Sequence, residues 1–286
     1  MPDEPMIVCI GDLVEDVVVT TSHAPRVGTD IDASIVRRRG GSAANVAVAV
    51  AHAQGAARFV GCVGLDDRGA RLIEELVIDG VEPFVERSDR RTGTVVVLVA
   101  DGERSFLTDR GASGALRTIP YAALAGADIV HVAGYSFVDE ALVHALRAAL
   151  VYEVRPSVSV DASSVALLES LGPQQFLDLC VSCGTDVLFA NEEEAATLGL
   201  PERALAVGIP TVVVKQGANS TVAFTATNRV EALPTPIDVA FDPTGAGDAF
   251  AGGFLVAYGA RAGLRAAVVA GNRVAHDTLT NPRRNW

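Results

Sequence analysis

The stretch FDPTGAGDAFAGGFLVAYG, Phe241 to Gly259, sets three small residues, Gly245, Ala246 and Gly247, directly before an acid, Asp248, that opens an apolar run of helical character. A helix starting there aims its unsatisfied backbone N–H groups and the positive end of its dipole at whatever lies in front of it. Small residues let an anion come close to those groups. Asp248 is the anomaly, because a carboxylate beside an anion repels it unless it has chemistry to perform. A general base resolves this: Asp248 takes a proton from a hydroxyl while the N–H groups around Gly245, Ala246 and Gly247 hold negative charge.

Outward from this stretch, short apolar runs alternate with helical patterns almost from end to end. MIVCIG, ARFVGCVG, ADIVHVAG, SVSVDAS, TDVLFAN and TVVVKQG are β-branched and bounded by Gly, Asp or Asn. Between them SAANVAVAVAHAQG, DRGARLIEELVIDG and DEALVHALRAAL repeat apolar residues at three- and four-residue spacing. The order predicts a mostly parallel sheet covered by helices on both faces, with ligands at the C-terminal strand ends. Two regions, about 15–38 and about 92–109, instead alternate with period two and carry no helix. They read as strands of a small separate sheet inserted into a single α/β domain, 1–286, and such an insertion beside a binding face is a lid. Apolar residues at successive positions, Val95 to Ala100, are too many for a flap facing water, so two lids are expected to pack together in a homodimer.

Composition narrows the partners. The 286 residues carry a net charge of −12, which disfavours nucleic acid and anionic membrane surfaces and requires any anionic ligand to be held locally. The acidic start MPDEPMIVCIGD lacks the basic opening of a signal peptide, and no run approaches a membrane span, so a cytoplasmic location is expected. Cys180 and Cys183 form a lone C-x-x-C without a second pair or nearby His, which reads as helix packing. His131, His144 and His276 likewise read as structural.

Three elements together resemble the ribokinase-like, or PfkB, carbohydrate kinases: GGSAANVAVAVAHAQGA (Gly40–Ala56) followed by FVGCVGLDDRG, DPTGAGDAFAGGF (Asp242–Phe254), and NEEE (Asn191–Glu194) between them. Neither G-x-G-x-x-G nor a P-loop is present. The resemblance implies a three-layer ribokinase-like α/β/α core and transfer of the ATP γ-phosphoryl group to a hydroxyl of a sugar or nucleoside. Asp248 would then be the base and Gly245–Gly247 the anion hole. It implies further that Asn191, Lys215, Gly217, Thr244, Gly245, Gly247 and Asn272 meet ATP, and that Glu194 organises Mg²⁺ through water. On the acceptor side it implies Asp16, with Asp12, Gly41 and Asn45 beside it; Arg110 would meet an acidic acceptor.

Two features depart from the family pattern. Asp12 stands where ribokinases more often have a small or polar residue, and Val14 replaces the usual Asn. Past the last helix the chain reads TNPRRNW rather than the small-residue loop that completes a monovalent-cation site, although Asp242 and Thr244 supply half of one for K⁺. Alternatives are a sugar-phosphate or keto-sugar-acid kinase of the same fold, and a non-catalytic sugar or nucleoside sensor.

Overall fold

The computed structural model describes residues 4–150, 155–237 and 244–281. From the N-terminus run β1 (Met6–Ile10), β2 (Val14–Thr21), β3 (Ala33–Gly40), α1 (Ser42–His52), β4 (Ala56–Gly64), α2 (Asp67–Ile78) and β5 (Val81–Ser88). Next come β6 (Thr92–Ala100), β7 (Glu103–Gly111), α3 (Tyr121–Leu124), β8 (Ile129–Ala133), α4 (Glu140–Ala149) and β9 (Ser157–Asp161). The C-terminal half holds α5 (Val165–Leu171), α6 (Pro173–Ser182), β10 (Thr185–Asn191), α7 (Glu192–Leu198), α8 (Glu202–Ala206), β11 (Thr211–Lys215), β12 (Thr221–Phe224), β13 (Arg229–Ala232), α9 (Ala246–Gly259) and α10 (Leu264–Thr280).

Nine strands form the large sheet in the order β13-β12-β11-β10-β9-β8-β1-β4-β5, with β12 and β13 antiparallel at one edge and the others parallel. Its strands are apolar on both faces because successive side chains enter different cores. Ile7, Cys9, Phe189 and Val213 join α1, α2, α9 and α10 in one core, whereas Val8, Ile10, Leu188 and Val212 join Leu146, Phe176 and Leu198 in the other. That is the three-layer α/β arrangement expected. The helical glycine pair in α9 serves close packing, since a Cβ on Gly252 would overlap Ala49 of α1.

Three strands, β5, β12 and β13, escaped the sequence reading. β5 carries Pro83, which lacks a donor, and it is tolerated because the strand lies at the sheet edge. β12 and β13 are four residues each, too short to show a period. All four cysteines lie buried and unpaired, in agreement with packing roles for Cys180 and Cys183. Among the described residues no helix is long and apolar enough to cross a membrane.

The two period-two regions meet in a second sheet of four strands, ordered β3-β2-β6-β7. Asp101 and Gly102, at φ 53° and 81°, make the tight turn of the β6–β7 hairpin. Pairing of Asp16 with Arg38 and Val95, and of Val99 with Arg104, puts Asp16 and Arg104 on one face; Glu15, Val17 and Val96 belong to the other. At the root of that second face Glu15 is fully buried and bound by Arg37, Arg71 and Arg68. Farther out, Ile35 and Leu107 stay 60% and 59% exposed, leaving apolar surface uncovered within the chain.

β1 has β4 on one side and β8 on the other, so the chain's winding reverses there. The crevice that such a reversal opens at the carboxyl ends of the strands is where α/β sheets bind ligands. β1 ends at Ile10, just before Asp12, and β9, β10 and β11 end at Asp161, Asn191 and Lys215 along the same rim.

Candidate active site

Two helix N-termini converge on Asp248. Gly245 caps α9 at φ 78°, the left-handed region that glycine adopts without strain, and turns the first N–H groups of α9 toward the cavity side. Asp248 lies in the first turn, where Ser42 Oγ donates to its Oδ1 at 2.8 Å and Asn45 Nδ2 donates to its Oδ2 at 3.0 Å. Both donors come from α1. Burial pushes the Asp248 carboxyl up to about 6, although the bonds from Asn45 and Ser42 favour its charged form. The result is a carboxylate with fixed orientation that is ionised at neutral pH yet basic enough to accept a proton.

The facing wall is built from strand ends. Lys215 Nζ, at the end of β11, lies 2.7 Å from Asp161 Oδ2 at the end of β9, both largely buried. The ammonium also stands over the Phe189 ring, 6.0 Å from its centroid. Burial alone would lower the Lys215 pKa, but Asp161 outweighs it and holds the amine above its ordinary value. A Cβ on Gly247 would come within 3.2 Å of this Nζ, so glycine keeps the lysine and the N-terminus of α9 in close register. Asn191 and Glu194 form a capping box at the start of α7: Glu194 N–H donates to Asn191 Oδ1 at 2.9 Å, and Asn191 N–H donates to Glu194 Oε2 at 2.8 Å. Burial first, then Asp161, lifts the Glu194 carboxyl to about 7.

A cavity of about 700 Å³ joins these parts, bordered by Ser42, Tyr135, Asp161, Gly217, Asn272 and His276 among others. Asn272 is buried, and its amide accepts from Thr221 Oγ1 at 2.9 Å and donates to the Ala232 carbonyl at 3.3 Å, bracing α10 on β12 and β13 at the cavity rim. His276, read from sequence as structural, lies one turn on and lines the same cavity.

Toward β1 and the small sheet the remaining candidates gather. Arg110 donates to both carboxylate oxygens of Asp12, at 2.6 Å and 3.2 Å, so these two bind one another. The Asp16 carboxylate lies against Gly40 so closely that a Cβ there would overlap it, and a Cβ on Gly41 would overlap the Asp12 carbonyl. Asn45, expected near an acceptor hydroxyl, gives its amide N–H to Asp248 instead, while its Oδ1 is buried with no hydrogen-bond partner among the described residues. Arg104 Nη1 donates to Thr244 Oγ1 at 2.6 Å. Asp242 falls outside the described residues. Ser42 and Asp161 were not assigned to the site from sequence, although Asp161 ends a predicted strand and so stood where α/β sheets collect functional groups.

The model of the pfkB family of carbohydrate kinases matches residues 4–283. The chain belongs to this family. It is 32% identical to an ATP-dependent ribose-1-phosphate kinase of Halopiger xanaduensis over 88% of this chain and 84% of that one. In structure it resembles the adenosine kinase of Sinorhizobium meliloti, with a TM-score of 0.85 at 23% identity, covering 98% of this chain and 94% of that one. An E. coli protein of the ribokinase type, solved with ATP and Mg²⁺, superposes with a TM-score of 0.79 at 23% identity over 97% and 93% of the two chains. As a PfkB kinase the chain is a phosphotransferase acting on an alcohol group.

Proposed function

We propose that this PfkB kinase transfers the γ-phosphoryl group of ATP to a hydroxyl of a small sugar or nucleoside, with Asp248 as general base and the N–H groups around Gly245, Ala246 and Gly247 as the anion hole. The observation that carries this is the Asp248 carboxylate fixed by Ser42 and Asn45 in the first turn of α9. As the acceptor oxygen bonds to the γ-phosphorus, its proton passes to Asp248 and the bond between that phosphorus and the ADP oxygen breaks. The α9 N-terminus meets the charge on the transferring group, and Lys215, aimed by Asp161, faces the phosphates.

Mg²⁺ fits the donor set. Glu194 and Asp161 are hard oxygen ligands in a buried place where carboxyl charge lacks solvent, and Mg²⁺ in kinase sites takes one or two carboxylates and completes its shell with water and phosphate oxygens. When bound, it neutralises charge shared between phosphates. The adenine half of the nucleotide is assigned to the stretch of cavity bordered by Gly217, Asn272 and His276. K⁺ at Thr244 stays a secondary expectation, because this hydroxyl accepts from Arg104.

On the acceptor side, Asp16 accepts hydrogen bonds from vicinal hydroxyls, as a carboxylate can from two at once. A neutral polyhydroxylated acceptor is favoured over a phosphorylated one because the Arg110 fork is spent on Asp12. The four-stranded sheet acts as a lid that closes over the acceptor and excludes water. Its outward apolar face, with Ile35 and Leu107 exposed, supports pairing with the lid of a second copy. ATP consumption measured against a panel of sugars, nucleosides and sugar phosphates tests the assignment. Turnover with a neutral acceptor is expected. Binding without turnover would support a sensor instead, and exclusive use of sugar phosphates would overturn the acceptor class.

A further inference from the structure

Buried and half-buried charges tie the root of the small sheet to a single helix of the core. Glu15 precedes Asp16 in β2, is 1% exposed and belongs to the opposite face of the sheet. Its Oε2 accepts from Arg37 Nη1 of β3 at 2.6 Å and lies 3.7 Å from Arg68 Nη1, while its Oε1 accepts from Arg71 Nη2. Arg68 and Arg71 belong to α2, and Arg68 also donates at 3.0 Å to Oγ1 of Thr94, the β6 residue paired with Glu15. Buried Arg39 of β3, opposite Glu15 in the ladder, donates at 3.1 Å to Asp79, the C-cap of α2. One helix therefore grips β2, β3 and β6 near the ends that join them to the core.

Asp16 stands between these grips. Its carboxylate rests on Gly40, where a Cβ would overlap it, so the backbone of β3 forms its seat. Glu15 fixes the backbone on Asp16's own strand, and Arg39 fixes the residue beside Gly40. We infer that Glu15 is a positioning residue for the acceptor: bound to Arg68 and Arg71, it holds β2 against α2 and so sets where the Asp16 carboxylate meets the acceptor hydroxyls. A carboxylate buried among guanidiniums has few places in which its charge is met, because moving away strands it without water or partner. An exposed ion pair would not impose that restraint. The inference rests on Asp16 as the acceptor carboxylate, the reading given above, and adds a residue that acts through it.

The test uses the full chain with ATP, Mg²⁺ and an acceptor that the wild type phosphorylates. A charged hydrogen bond to the acceptor corresponds to about 10- to 100-fold in affinity, and a displaced Asp16 loses part of it. In Glu15→Gln, which keeps the shape and removes the charge, the acceptor KM is expected to rise about 10-fold while the KM for ATP stays within about twofold. The arginines separate position from charge. Arg68→Met combined with Arg71→Met detaches Glu15 from α2 and should raise the acceptor KM in the same way. Arg37→Met takes a guanidinium from the same carboxylate but leaves α2 attached, and should keep the acceptor KM within about threefold of wild type. In an Asp16→Ala background, Glu15→Gln should add less than about twofold, since the group it places is gone. Thermal unfolding confirms that each variant is folded; should Glu15→Gln not fold, the contrast between the α2 arginines and Arg37 carries the test.

An acceptor KM in Glu15→Gln within about threefold of wild type would overturn the proposal. So would equal rises in the KM for ATP and for the acceptor, or an undiminished effect of Glu15→Gln in the Asp16→Ala background, because both mark a general loosening of the fold. A wild type that phosphorylates no acceptor, or an Asp16→Ala variant whose acceptor KM is unchanged, would instead overturn the functional reading and this inference with it, which separates the two failures.

Discussion

Asp248→Asn is expected to change stability and turnover in opposite directions. Burial raises the Asp248 carboxyl from 3.8 to about 6, so across that window the folded chain keeps a proton that the unfolded chain releases. Stability contributed by this group is therefore lost as pH rises from 3.8 toward 6 and stays lost above it. At 1.36 kcal/mol per pKa unit the cost of the charge above that window approaches about 3 kcal/mol. Because Asp248 is only half-buried, solvent screening reduces this to about 1–2 kcal/mol.

Asn removes the charge and keeps the shape. Its amide oxygen can still accept from Asn45, and its NH₂ can donate to the Ser42 hydroxyl, which rotates to accept. The expected gain in Tm is about 2–4 °C at about pH 8, shrinking toward zero at about pH 4.5. Turnover should fall about 10²- to 10⁴-fold, the scale for loss of a general base. Thermal unfolding of both proteins at the two pH values, with steady-state kinetics beside it, provides the assay. An equal Tm change at both pH values, or a loss at the higher one, would refute the claim that a buried carboxylate charge is held here at a cost; unchanged turnover would remove the base.

Asn45→Ala withdraws one donor from the charged form of Asp248, so the acid limb of the kcat/KM profile should move to higher pH by about half a unit to one unit, and a limb that stays put would contradict the bond's role. Asp161→Asn leaves the Lys215 ammonium largely buried without its carboxylate and should cost about 2–4 kcal/mol in urea denaturation, partly recovered by adding Lys215→Met; no recovery would show that the pair is not what is lost. Leu107→Glu places charge on the outward face of the small sheet and should turn a dimer into a monomer by light scattering at low micromolar concentration. A wild-type monomer would sink the lid dimer and leave the kinase assignment in place.

The fold was legible where local pattern and final environment agree. The central strands are short β-branched runs because both of their faces are covered. The same continuous run in Val95–Val99 was read with the period-two segments that flank it, and the structure puts it in the small sheet, where only Val97 among these residues is fully buried. Edge strands were not legible. β5 needs only one side paired and so tolerates Pro83, while β12 is held by antiparallel pairing with β11, and β13 by antiparallel pairing with β12, rather than by any preference of their own.

The site divides along a similar line. Asp248 with its glycines, and Asn191 with Glu194, are local constellations in which one helix start supplies both the ligand-facing groups and their geometry, so spacing alone points to them. Ser42, Asp161 and Arg104 are the residues that complete those constellations from elsewhere: Ser42 lies 206 residues from Asp248, Asp161 lies 54 from Lys215, and Arg104 lies 140 from Thr244. No periodicity links such partners, because what brings them together is the sheet order and the inserted hairpin. The physical demand for them was nonetheless present in the sequence. A carboxylate at a helix start needs donors to stay ionised when buried, and a lysine at the inner end of a strand needs an acid. Asp161, ending the run SVSVD in the middle of a parallel sheet, was the acid most exposed to that reasoning.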